Sequence, residues 1–372
     1  MHPSAAPKKT PPANLGWSSL TAVEVGDDLF QDVWDKVAIP LNLLANIGVT
    51  PTAVFLPKIN QETVSIDFIK IVPANAPVSP RVIAAINRLG LEEVYVPVTR
   101  LENLVQASQE KTKAAIQNHK LPNKAKVRLL HDNAKLLATM ALKENNIGGS
   151  VQSAASYVET VGEFVHKVPD AMGDLAQMLT LDYSLYTHSI NVSLFALCFG
   201  EFIKLPSQDI KALGMGALYH DVGKTCISAN ILKKPGPLNA DEWELMRQHS
   251  TYGYDLLVKH SDFPQQSLMT VLHHHENMDG SGYPAGLKEN DLPISSRISK
   301  ILDCYDAITS TRCYKPGVTG YEAIRVMYNE MLPQLSTDLL TQFVEFLGFL
   351  GRKAGRKGTP PVNALALGQE DY

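Results

Sequence analysis

Hydrophobic positions follow strand-like runs in the first third of the chain and helical spacing in the rest. VAIPLNLL (37–44), TAVFLPKI (52–59), VSIDFIKIV (64–72) and EVYVPV (93–98) are short, β-branched-rich runs broken by Pro, Asn and Gly, and they predict strands. Between the last two, SPRVIAAINRLG predicts a helix that starts at Pro80 after Ser79 and ends at Gly90. Together these elements predict a small α/β regulatory domain over 19–100. Residues 101–147 are almost free of Gly and Pro and predict helices on both sides of Leu121-Pro122. Leu129, Leu130, Leu136, Leu137 and Met140 form a stripe at helical spacing. The stretch 101–150 is therefore expected to be a helical connector, either packed on a neighbouring domain or relaying a signal. IGGS (147–150) marks its end, and 151–350 is helical throughout with polar, Gly-rich interruptions. Residues 1–18 and 351–372 combine Pro, Gly and basic residues without periodicity and predict disordered tails. The fold class expected is mainly α, with a small α/β domain ahead of an all-helical one.

Composition narrows the chemistry. A net charge of −4 gives no bulk attraction to a nucleic-acid polymer, so a phosphate-bearing ligand must be held by local cations or metals. Cys198, Cys226, Cys304 and Cys313 lack the paired spacing of a zinc knuckle and read as reduced thiols. No apolar run approaches the ~20 residues of a membrane helix. The opening MHPSAAPKKTPPANLGW has no apolar core of a signal peptide, so a cytoplasmic address without membrane attachment is expected.

The chain has 11 histidines, and seven of them fall between 188 and 275. His188 opens an apolar helix, where a lone histidine is usually a core residue. His220-Asp221 is less ordinary, because a carboxylate in the apolar setting GMGALYHDVGK needs a cationic partner, either a metal ion or Lys224. His249 follows in MRQHSTYGY, then His273-His274-His275-Glu276, the loop Asp279-Gly280-Ser281-Gly282-Tyr283-Pro284, and Asp303-Cys304-Tyr305-Asp306. Three consecutive histidines before a glutamate are hard to explain as packing. Imidazoles and carboxylates without thiolates suit iron, manganese, nickel or zinc in a catalytic site.

In order and spacing, HDVGK (220–224), HHENMDGSGYP (274–284) and DCYDAITSTRCYK (303–315) resemble the signatures of the HD superfamily in its HD-GYP branch. The resemblance covers about 151–350. It implies an all-α catalytic domain that hydrolyses cyclic di-GMP to pGpG or GMP at two divalent metal ions, with iron or manganese favoured. By similarity, His188, His220, Asp221 and Asp303 hold one metal, and His249, His274 and His275 hold the other, with Asp221 as the shared bridge. Lys224 is the candidate catalytic cation; its alternative is a structural partner for Asp221. Gly282, Tyr283, Asp306, Arg312 and Lys315 are the other candidate substrate contacts. Glu276 either hydrogen-bonds a ligand ring or faces solvent, and His273 is support or packing. His2, His119, His131 and His166 are expected at the surface. Some relatives carry a glutamate where this chain has Ser184, and that glutamate adds a third metal. Two metals are therefore expected here. Cys313 replaces a proline common in relatives. The alternatives are a weakly catalytic cyclic di-GMP sensor, or a phosphodiesterase for another cyclic dinucleotide. Residues 1–147 lie outside the resemblance and are the expected route to a homodimer or protein partners.

Overall fold

The computed structural model describes residues 35–60, 65–143, 147–178, 185–232, 234–260, 262–310 and 317–353. The chain divides into two compact units between Ser108 and Gln109. In the first, β1 (Lys36–Pro40), β6 (Glu93–Pro97), β3 (Val54–Asn60) and β4 (Ser65–Val72) form an antiparallel sheet in the order β1-β6-β3-β4. β2 (Val49–Thr50) and β5 (Ala76–Pro77) form a second, two-stranded sheet. The run expected as a strand over 37–44 divides at Pro40. Val37 and Ile39 alternate inward on β1, whereas Leu41, Leu43, Leu44 and Ile47 are the buried residues of helix α1 (Leu41–Ile47). An apolar run this short fits either period, and only packing decides. Helix α2 (Pro80–Arg88) starts as its sequence predicts, with the Ser79 hydroxyl accepting the Arg81 amide at 3.2 Å.

Helix α3 (Leu101–Gln117) runs across the division. The second unit then continues through α4 (Asn123–Lys143), α5 (Ile147–Lys167), α6 (Ala171–Met178), α7 (Leu185–Phe202) and α8 (Ser207–Tyr219). A 3-10 turn (Val222–Cys226) leads to α9 (Ala229–Leu232), α10 (Ala240–Arg247), α11 (His249–Leu257) and α12 (Gln265–His273). α13 (Ile294–Thr309), α14 (Gly320–Glu330) and α15 (Thr337–Lys353) complete it. The fold is mainly α, as expected.

α7 is the centre of this unit: Ile190, Val192, Leu194, Ala196, Leu197 and Phe199 are all buried. Helices α4, α5, α8 and α13 pack around it, and on α15 Phe343 and Phe346 each approach Phe199 with ring centroids 5.5 Å apart. α4 is integral to this packing, with Val127, Leu130, Leu136, Leu137 and Met140 buried. His131 on the same helix is also buried, which corrects the expectation of a surface residue. It lies next to the inward-facing Leu130 and one turn before Ala134 and Lys135. Among the described residues, no helix is long and apolar enough to cross a membrane.

Candidate metal centre

The histidines converge because most of them sit at helix ends. His188 lies in the first turn of α7, His220 follows the last residue of α8, and Asp221 starts the 3-10 turn. His249 begins α11, His274 follows the end of α12, and Asp303 projects from the middle of α13. The 3-10 turn reaches the start of α11 only because residue 223 is glycine. A Cβ there would lie 1.9 Å from the His249 carbonyl oxygen.

Three of the rings are fixed by the backbone. The Nδ1–H groups of His220, His249 and His274 donate to the carbonyls of Ala217, Met246 and Val271 at 2.7, 2.7 and 2.8 Å. That tautomer leaves each Nε2 as a bare lone pair turned inward. His188 Nδ1 lies 2.8 Å from Asp306 Oδ2, and this places its Nε2 in the same cluster. The Nε2 atoms of His188 and His220 are then 3.1 Å apart, and those of His249 and His274 are 3.2 Å apart. Lone pairs facing each other at this distance repel unless a cation lies among them. Burial pushes the pKa of His220, His249, His274 and His275 down, so these rings are neutral donors near pH 7.

The donors fall into two groups, His188–His220–Asp303 and Asp221–His249–His274–His275. Asp221 faces both. Its Oδ1 is 3.4 Å from His249 Nε2 and 3.9 Å from His274 Nε2, while its Oδ2 is 3.5 Å from His220 Nε2 and 3.7 Å from His188 Nε2. Asp303 places Oδ1 3.1 Å from His188 Nε2 and Oδ2 4.0 Å from His275 Nδ1. Neutral imidazoles and buried carboxylates in this arrangement fit divalent cations. Burial alone would raise the Asp221 carboxyl, but Lys224, 2.5 Å from Oδ2, holds it well below the usual range. The structure therefore pairs Lys224 with Asp221.

Two expectations change. Asp306 is buried, and its oxygens accept from His188, from Asn191 Nδ2 at 2.9 Å and from the Ser310 hydroxyl at 3.3 Å. Through the first of these contacts it orients the His188 ring. Glu276 is fully buried and meets neither a ligand ring nor solvent. It accepts the Ala285 amide at 2.7 Å and the Leu287 amide at 3.1 Å, clamping the loop that carries Tyr283. Gly282 lets that loop fold back, since a Cβ there would lie 2.5 Å from Glu276 Cα. The Tyr283 ring stacks on His275 with centroids 4.7 Å apart and planes at 24°. Arg247, which the motifs do not single out, holds its guanidinium carbon 5.6 Å from the Tyr283 ring centroid. Its only sequence signal was a cation two residues before His249. Ser184, Arg312, Cys313 and Lys315 lie outside the described residues.

A family model described as the HD domain matches residues 166–333, the stretch that carries every one of these donors. Residues 166–333 are thus similar to the HD domain. The match agrees with the resemblance to the HD superfamily. The chain is 34% identical over 204 residues to a cyclic di-GMP phosphodiesterase of Pseudomonas aeruginosa, covering 54% of this chain and 49% of the relative. It is 36% identical over 165 residues to a 3'3'-cGAMP-specific phosphodiesterase of Vibrio cholerae, covering 43% of this chain and 30% of the relative. The matches span half or less of these relatives' lengths. Among solved structures, an HDG"Y"P protein of Bdellovibrio bacteriovorus is similar in fold, with a TM-score of 0.60 at 16% identity, covering 84% of this chain and 100% of that one.

Proposed function

We propose that this HD domain is a metal-dependent phosphodiesterase that opens a cyclic dinucleotide, cyclic di-GMP first, at two divalent ions bridged by Asp221. The observation that carries this reading is the division of Asp221 between the two donor groups, one carboxylate oxygen toward each. A carboxylate can bridge two cations, and a neutral imidazole cannot. His188, His220 and Asp303 would hold one ion, and His249, His274 and His275 the other. Iron or manganese suits this donor set. When bound, two such ions supply positive charge to a phosphodiester and to its attacking water. The chain's own residues position and shield. Backbone carbonyls and Asp306 keep the imidazoles turned inward, and the Glu276-clamped loop places Tyr283 beside His275. Lys224, paired with Asp221, stands where it can meet a phosphate oxygen, and Gly282 with Tyr283 forms a rim for the substrate. Arg312 and Lys315 are proposed as further substrate cations.

The similarity to a relative named for 3'3'-cGAMP supports that dinucleotide as a second substrate. Anaerobically purified protein, assayed for metal and incubated separately with cyclic di-GMP and 3'3'-cGAMP, tests the reading. Close to two ions per chain and linear products from cyclic di-GMP are expected. Loaded protein that leaves both dinucleotides intact would make the domain a binder and not a hydrolase.

A further inference from the structure

Arg247 is the last residue of α10, and two residues later His249 opens α11. The His249 Nδ1–H donates to the Met246 carbonyl at 2.7 Å, so the backbone next to Arg247 is tied to a donor of the metal centre. From that position the Arg247 guanidinium carbon lies 5.6 Å from the centroid of the Tyr283 ring. Tyr283 in turn stacks on His275 and meets the His249 ring edge-on, with centroids 6.3 Å apart and planes at 81°. The Tyr283 amide donates to the His275 carbonyl at 3.3 Å, so backbone and ring both fix it against that donor. The guanidinium is much less engaged. Its charge partner is Glu244 at 3.9 Å, and the side chains of Arg247 and Glu244 are 49% and 68% exposed. An ion pair so long and so wet holds an arginine weakly. The planar fork of N–H groups therefore stands at the rim of the metal centre, placed against the tyrosine and available to a ligand.

A cyclic dinucleotide held by one phosphodiester at the ions projects its bases away from the reacting atoms. Arg247 is linked to the donor group through Tyr283, a remove that suits contact with a base and not with the phosphodiester being cleaved. The two purines differ at the edge an arginine meets. Guanine presents N7 and O6 as adjacent acceptors, which the fork takes with two parallel hydrogen bonds, whereas adenine sets an N6 amino donor against it. We propose that Arg247 is a specificity-determining residue of this centre, reading the N7–O6 edge of one guanine of a cyclic dinucleotide at the Tyr283 rim. This deepens the reading of the metal centre given above and rests on it. A lysine in the same place would offer a point charge and no fork.

The test uses the full, metal-loaded chain with Arg247→Ala and with Arg247→Lys, which keeps the charge and loses the fork. Isothermal titration with hydrolysis-resistant phosphorothioate analogues of cyclic di-GMP and cyclic di-AMP measures the guanine preference of each protein. Wild type is expected to prefer the guanine analogue. Both variants should bind that analogue about ten- to a hundred-fold more weakly, the size of one lost bidentate base contact, and bind the adenine analogue as wild type does. Metal content and melting temperature should stay at wild-type levels, because the side chain is half in water. A wild type without guanine preference, or variants that retain it, would overturn the assignment. Equal weakening toward both analogues would also overturn it, making Arg247 a phosphate contact. A melting temperature lowered in both variants would make Arg247 a structural residue instead. Wild-type protein that binds neither analogue would overturn the phosphodiesterase reading and this inference together. Guanine-selective binding without cleavage of cyclic di-GMP would overturn only the hydrolase reading, and the two variants would still decide Arg247.

Discussion

His188 on α7 and Asp306 on α13 are joined through Nδ1 and Oδ2 at 2.8 Å, and this contact sets where the His188 lone pair points. Asn191 and Ser310 hold the carboxylate in turn. An asparagine at 306 keeps the shape but loses the charge that favours this ring orientation. Asp306→Asn is expected to weaken metal binding at the His188–His220–Asp303 group about 10- to 100-fold, the usual cost of losing a carboxylate behind a histidine ligand. Competition with a graded chelator measures this. Undiminished affinity would leave Asp306 with a packing role alone.

Asp221→Ala removes a carboxylate that turns one oxygen toward each donor set, and it takes from Lys224 the carboxylate 2.5 Å away. Metal content should fall for both ions, and turnover should fall by more than about tenfold, a loss above ~1.4 kcal/mol. A variant that keeps two ions would refute the bridge.

Glu276 tests loop clamping separately from metal binding. Glu276→Ala takes from the amides of Ala285 and Leu287 the carboxylate that accepts both. A stability loss of about 3 kcal/mol is expected in urea unfolding, from charge-assisted bonds that are individually worth about 1.5–3 kcal/mol. Hydrogen exchange at those two amides should accelerate while metal content holds. Lost metal with an intact loop would place Glu276 in the metal centre instead.

The donor residues were legible because their chemistry is unusual for a core: adjacent histidine and aspartate, then consecutive histidines, recur where helices end. What Asp306 and Glu276 do was not legible. Both are acids inside motifs, and which neighbour each meets depends on helix packing between α7 and α13 and on a loop folding back at Gly282. Leu41–Ile47 was misread for a different reason, since four apolar residues after a proline fit either period until the rest of the unit covers them. Arg247 gave almost no signal, because a cation on an exposed helix end is ordinary until Tyr283 is placed beside it.

His131 gives the protein a specific acid sensitivity. Burial first, then Lys135 and Arg128, lowers its pKa from 6.5 to about 4. The unfolded chain takes up a proton below 6.5 that the folded chain refuses until about pH 4, so stability is lost as pH falls through that window. From pH 7 to pH 5 this residue alone costs about 2 kcal/mol. His131→Gln should reduce the loss by that amount in urea titrations of metal-loaded protein at the two pH values. Equal losses in both proteins would mean that His131 is protonated in the fold.

Helix α4 decides how far the metal-centre unit can be shortened. The stripe of leucines at helical spacing told that one face is buried, but not against what. In the structure α4 packs on α5, α6 and α7, the last of which carries His188, and also meets the 3-10 turn that holds Lys224. Val127, Leu130, Leu136, Leu137 and Met140 are each at most 1% exposed. Burying such a side chain contributes about 1.5–3 kcal/mol, so the five together are worth on the order of 10 kcal/mol. That is comparable to the whole stability of a typical domain, about 5–15 kcal/mol. A chain starting at Val151 also loses Ser150, whose hydroxyl accepts from the buried Tyr219 phenol at 3.0 Å, immediately before the His220-Asp221 pair. A chain starting at Gln109 is therefore expected to unfold cooperatively and to bind metal. One starting at Val151 is expected to be insoluble or to lack a cooperative transition. Thermal unfolding followed by circular dichroism, with metal content measured on both chains, makes the comparison. If the shorter chain melts cooperatively with its metal in place, α4 is an accessory and not part of the core.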